Sequence, residues 1–243
     1  MGRARSARSA VAPPRDTDVT PFASILGDLL TRTPGAFAAA LVDVLGETVD
    51  YTGHVDPFEV KVAAAHWHIV LNEIKTLNWL GSPRIFIVRG ATKSFIVHAM
   101  ADNYAIVLLL NRRAGFGASK RALAICERAL AAEAGWVAPT TPTWLPVEVH
   151  CDRAKRPSRV TMKGSTVSVG LEVLGSVMGL SGREQGFRVR LDSGAELTLV
   201  RETGGFWYTD EPFSAGRARG STRPSRTASK TSPTTPRQRP PRS

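Results

Sequence analysis

Between Thr20 and Leu30 the apolar residues Phe22, Ile25, Leu26, Leu29 and Leu30 recur at a spacing that gathers them on one face of a helix, with Thr20 as N-cap and Pro21 at the first helical position. Pro34 and Gly35 stop it. The period then changes: residues 36–42 and 48–51 read as strands, and Gly46 supplies the positive φ that a tight connection needs. Asp56-Pro57-Phe58-Glu59 is a capping sequence that predicts a long helix to about Trp79, broken by Gly81-Ser82-Pro83. Three apolar runs follow, 84–88, 94–100 and 104–111, all strand-like. Residues 106–110 are apolar at every position, as in a central strand covered on both faces, and Asp102-Asn103 makes the turn before it. Gly115 and Gly117 lead into a third helix in SKRALAICERALAAEAG.

A Pro/Thr linker over 139–145 separates this first domain, 20–138, from a different texture. Six short β-like runs at 146–151, 159–163, 166–173, 186–192, 195–202 and 205–209, divided by Gly-rich turns, predict a small β-rich domain over 146–213, a barrel or a sheet. Residues 1–19 read as a disordered arm. Residues 214–243 hold only Arg, Lys, Ser, Thr, Pro, Gly, Ala and Gln, too little apolar surface to offset ordering entropy, and predict a disordered basic tail.

The long helix carries two apolar stripes. Val60, Ala63, Trp67, Val70, Ile74 and Leu77 fall on one side at 100° per residue and can pack on the protein's own sheet. Phe58, Val62, Ala65, Ile69, Asn72 and Thr76 fall on the other, spaced 4, 3, 4, 3, 4 as in a coiled-coil seam. A single copy has nothing left to cover that seam, and a twofold axis lets one patch cover itself, so a homodimer is expected, with Lys61, His68, Asn72 and Lys75 as the wet edge.

Charge changes the picture less than its total suggests. Of the net +11, the tail carries +8 and the arm +2, while 20–138 stands at +1 and 139–213 at zero. A nucleic-acid-associated protein working through the β-rich domain and tail is therefore the second reading, with weak, sequence-blind binding to nucleic acid or an anionic surface, because the tail's arginines have no interleaved aromatics. Two cysteines are too few for a disulfide framework, and no apolar run reaches the ~20 residues of a transmembrane helix, so a cytoplasmic protein is expected. The N-terminus spells M-G-x-x-x-S, but its basic residues precede no apolar segment, and an arm is expected rather than a signal.

Candidate chemistry is sparse. Asp43 and Glu47 flank a turn between alternating strands and Asp50 lies along the second, which fits a hairpin and not a metal loop. His66 and His68 sit two apart on a helix and cannot grip one ion, so surface or seam histidines are expected. Cys126 lies among Ala122, Leu123, Ile125, Ala129 and Leu130 as a buried small hydrophobe. Arg112 and Arg113, at a strand end before a Gly-rich loop, are the candidate contacts for an acidic partner. No nucleotide-binding motif appears, and no catalytic residue, metal or cofactor is expected.

In element order, in the ILGDLL helix, in ALVDVLGETVDYTG, in the Ala-rich long helix and in SFIVHAMADNYAIVLLLNRRAGFGASKRALAICERAL, residues 21–136 resemble the Roadblock family. These are the dynein-light-chain and longin-like regulators of small GTPases, including bacterial MglB-like members of gliding-motility systems. The resemblance implies an α/β (α+β) domain: a five-stranded antiparallel sheet, two outer helices on one face and the long helix on the other. It implies a homodimer formed by the long helix and the next strand, which adds Ile85 and Ile87 to the interface. It also implies a non-enzymatic platform for a Ras-like small GTPase, whose GTP hydrolysis MglB-like dimers promote without an arginine finger by repositioning the partner's own residues. The β-rich segment, with REQGFRVRLDSGAELTLVRETGGFWYT, faintly resembles small bacterial β-domains of unknown role.

Overall fold

The structure is a computed structural model that describes residues 15–16, 18–77, 79–81, 83–115, 119–137, 139–140, 143–178, 180 and 184–213. The expected tail, and the expected arm up to residue 14, lie outside the described residues.

Helix α1, Pro21–Thr31, begins where the sequence places it, with the Thr20 hydroxyl accepting from the Phe22 N–H. Helix α2, Pro57–Lys75, is capped by Asp56, whose carboxylate accepts from the Glu59 N–H at 3.1 Å. It ends about a turn before Trp79: the Thr76 N–H turns back to the Glu73 and Ile74 carbonyls and the Thr76 hydroxyl donates to Glu73, a tightened last turn that closes the helix early. Helix α3, Lys120–Ala134, starts at the Ser119 cap and ends at Gly135, whose φ of 71° is the left-handed stop glycine allows.

Strands β1 (Ala36–Val42), β2 (Thr48–Gly53), β3 (Ile85–Arg89), β4 (Lys93–Ala99) and β5 (Ala105–Asn111) form one sheet in the order β2-β1-β5-β4-β3, every pair antiparallel. β5 is the middle strand and is buried from Ala105 to Leu110, as its unbroken apolar run requires. Alternation along the strands feeds two cores. On one face Ala39, Leu41, Ile96, Ile106 and Leu108 meet Leu26 and Leu29 of α1 and Leu123, Cys126 and Leu130 of α3. On the other Ala38, Ala40, Val97, Val107 and Leu109 meet Val60, Ala64 and Leu71 of α2. Three helices, two on one face and one on the other, and a five-stranded antiparallel sheet are the arrangement that the resemblance in the sequence implies.

Strands β6 (Leu145–Cys151), β7 (Pro157–Met162), β8 (Ser168–Val177), β9 (Gln185–Leu191), β10 (Glu196–Arg201) and β11 (Trp207–Thr209) close into a six-stranded barrel around Val160, Val189, Leu199 and Trp207. The short runs and Gly-rich turns identify the strands. What they could not show is closure, which comes from β11 pairing back onto β6.

The barrel meets α1 and α3 through polar contacts. Arg121, near the start of α3, donates to Glu184 at 2.8 Å and Glu202 at 2.9 Å and lies over the Trp144 ring. Burial pulls the Arg121 guanidinium down, and the two carboxylates outweigh it, holding it above its ordinary value. Ser119 and Tyr208 share a hydroxyl hydrogen bond of 3.2 Å, and Lys163 reaches Asp28 of α1 at 2.9 Å.

Candidate interaction face

The two stripes of α2 part company in the structure. Of the expected inner stripe only Val60 is buried, Ala63, Trp67, Val70 and Ile74 are half-buried and Leu77 is 40% exposed; the line that the sheet covers runs instead through Val60, Ala64, His68 and Leu71, whereas Phe58, Val62 and Ile69 remain 77%, 50% and 57% exposed. Of the other seam positions, Ala65 and Asn72 are half-buried and Thr76 is exposed. Apolar surface of this size on one ridge of a helix is expensive to leave in water, at ~25 cal/mol per Å². Beside the ridge, Phe58, Val62, Ala63, His66, Trp67 and Phe95 line a shallow groove of about 490 Å³. Trp67 packs at a tilt against Phe95, with ring centroids 5.1 Å apart, and against Phe86 at 6.0 Å. An ion pair between Lys93 and Glu59 closes one rim. Phe95 was hidden from the sequence because it belongs to a strand, and only the register of β4 brings it under α2.

β3 flanks this face as the sheet's outer strand. Its two sequence-predicted interface residues do not join the α2 ridge. Ile85 is half-buried in the core beneath α1 and α3, and Ile87, two residues on and 38% exposed, shares that face of the strand. What β3 adds beside α2 is its outer backbone edge, at the end of the sheet. Arg112 and Arg113 are both exposed in the turn after β5, well separated in the chain from the α2 face.

His68 corrects the expectation of a wet or seam histidine. It is buried under the Asp102-Asn103 turn, where its Nε2 donates to the Asn103 carbonyl at 3.0 Å, which leaves Nδ1 as acceptor for Asn72 at 3.5 Å. Asp102 and Asn103 take φ of 51° and 63°, and that tight turn is what puts the carbonyl within reach. Lys75 donates to the Asn103 side chain, and burial lowers its pKa. His66, by contrast, is exposed and meets Trp67 edge-on.

The acidic residues around the first hairpin divide by role. Asp43 accepts from the Leu45 and Glu47 N–H groups, both at 2.9 Å, and Gly46 adopts φ of 86°, so the turn is a hairpin held by one carboxylate. Asp50 is buried, 3% exposed, on the edge strand β2. It accepts from the Thr20 hydroxyl, the Tyr51 N–H and Arg15. Arg15 and Asp16, expected to be part of a disordered arm, are instead fastened to β2 and α2. Nothing in a strand pattern marks Asp50 as the anchor, since its partners lie some 30 residues upstream.

No family model matches the chain, and no curated protein matches it. Among solved structures it is similar to MglB and Roadblock/LC7-domain proteins. The gliding protein MglB of Thermus thermophilus is 20% identical over 47% of this chain and 88% of its own, with a TM-score of 0.41. Myxococcus xanthus MglB is 17% identical over 51% of this chain and 98% of its own, with a TM-score of 0.39. A Roadblock/LC7 domain from Streptomyces avermitilis is 18% identical over 45% of this chain and 88% of its own, with a TM-score of 0.33.

Proposed function

We propose that the protein is a non-enzymatic, homodimeric regulator in a small-GTPase pathway, in which two copies pair through the α2 ridge and the β3 edge and present a platform that binds a Ras-like GTPase and stimulates its GTP hydrolysis. The observation that carries the pairing is the exposed ridge of Phe58, Val62 and Ile69 beside the sheet's outer strand. An isologous contact covers both halves at once, and β3 against its symmetry mate continues the sheet. The GTPase reading rests on the resemblance of residues 21–136 to the Roadblock family. Arg112 and Arg113 are the proposed partner contacts, two exposed cations on a turn suited to carboxylates of the GTPase. The barrel and tail are proposed as accessories.

The test is a pull-down from host lysate with the full chain, once with a non-hydrolysable GTP analogue and once with GDP, followed by single-turnover hydrolysis by the captured GTPase. Retention with the analogue alone and faster hydrolysis is the expected result. A chain that retains no GTPase in either state contradicts the reading and favours the barrel and tail as the working parts. Tail-driven nucleic-acid binding would then fall steeply between low and physiological salt.

A further inference from the structure

The edge of β2 holds a built polar site that the GTPase reading does not use. At its base is the Asp50 carboxylate, buried and already committed to the Thr20 hydroxyl and the Tyr51 N–H. At its rim is the Tyr51 carbonyl, and beside it the Tyr51 ring. Arg15 fills the site with both ends of its fork: Nη2 donates to Asp50 Oδ1 at 2.5 Å, Nη1 donates to the Tyr51 carbonyl, and the guanidinium lies 4.4 Å from the centre of the Tyr51 ring. Asp16 fastens the same strand of chain a step further on, accepting from the Tyr51 hydroxyl at 2.8 Å and from Lys61 of α2 at 2.7 Å.

We propose that this corner of β2 is a receptor for a guanidinium group, that Arg15 is its tethered ligand, and that an arginine side chain presented in trans takes the site when Arg15 is withdrawn. The chemistry selects arginine. Two acceptors of different kinds, a carboxylate oxygen and a main-chain carbonyl, match two parallel N–H groups of one planar fork, and the flat cation can lie against an aromatic face at the same time. A lysine ammonium has one charge centre and can satisfy only part of this. The site also demands an occupant, because a buried carboxylate stripped of its cation is left uncompensated. Arg15 itself is partly open to water, so the ligand can leave without unfolding the sheet. The segment around Arg15 is in this sense a strap: closed, it bridges β2, the start of α1 and α2; open, it exposes a carboxylate that only another guanidinium replaces well.

The experiment uses the full chain as parent, Arg15→Ala and Arg15→Lys, with ethylguanidinium as the arginine side-chain analogue and ethylammonium as the lysine one, at equal millimolar concentrations. Melting temperature and isothermal titration are the readouts. Arg15→Ala is expected to melt several degrees below the parent and to regain most of that loss, saturably, with ethylguanidinium but not with ethylammonium. Arg15→Lys is expected to stay close to Arg15→Ala. By titration, ethylguanidinium binds Arg15→Ala and not the parent, whose site is filled. An Arg15→Ala protein that melts with the parent, that gains equally from both cations, or that binds ethylguanidinium no better than the parent overturns the proposal.

Discussion

Cys126, on the inward face of α3, packs among Leu26, Leu123 and Leu130, and burial pushes its thiol up to about 12, so almost none is thiolate at neutral pH. Cys151, at the end of β6, is exposed, with burial raising its pKa in a direction that slows but does not block reaction. An alkylating reagent at pH 8 is therefore expected to label Cys151 alone in the native chain and both cysteines after denaturation, which peptide mass mapping reads directly. Labelling of native Cys126 at the rate of Cys151 would place it outside the core. At Asp16, the hydrogen bonds from Lys61 and Tyr51 hold the carboxyl below its ordinary value of 3.8. A depressed folded value contributes stability that is fully present above the unfolded value and is lost as pH falls through the folded one. The difference in melting temperature between the parent and Asp16→Asn should therefore be constant from neutral pH down to about 4 and shrink only below 3.8. A difference that fades between pH 7 and 5 would mean that Asp16 is not what titrates. Residues whose role is local were legible in the sequence: the caps Thr20 and Asp56, the hairpin glycine Gly46, and Cys126 inside an apolar helix stripe. Asp50, His68 and Arg121 were not, because the partners that define them are 30 to 81 positions away and arrive only through the fold.

At the scale of elements, period and punctuation placed every helix and strand to within a few residues, since each signal is carried by the residues that respond to it. Three features needed the assembled structure. α2 stops at Lys75 through Thr76, β6 to β11 close on themselves, and the barrel is held by ion pairs to α3. Arg121 is the centre of that last contact, almost fully enclosed between Glu184, Glu202 and Trp144. Arg121→Ala leaves two carboxylates together without their cation, at a cost of about 3 kcal/mol. The expected result is a barrel that undocks before it melts: protease cleavage in the 139–145 linker should rise by at least an order of magnitude, while the circular-dichroism signature of both sheets persists. Unchanged cleavage would show that the barrel stays docked without these ion pairs.

For the molecule as a whole, the charge total misleads and the distribution informs. Nearly all the net charge lies in residues 1–19 and 214–243, and the two folded units are close to neutral. On α2, opposite the face that α1 and α3 cover, the folded part leaves an apolar ridge open. Self-association through an apolar ridge should be insensitive to salt, since screening acts on exposed charges and leaves hydrophobic contact intact. The measurement that tests this most directly is the mass of the full chain by light scattering, at low and high salt, beside that of Ile69→Asp. The account predicts two chains for the parent at both salt concentrations and one chain for Ile69→Asp, with its melting transition still cooperative. A parent of one chain, or an Ile69→Asp protein that remains at two, would contradict the pairing of copies through α2.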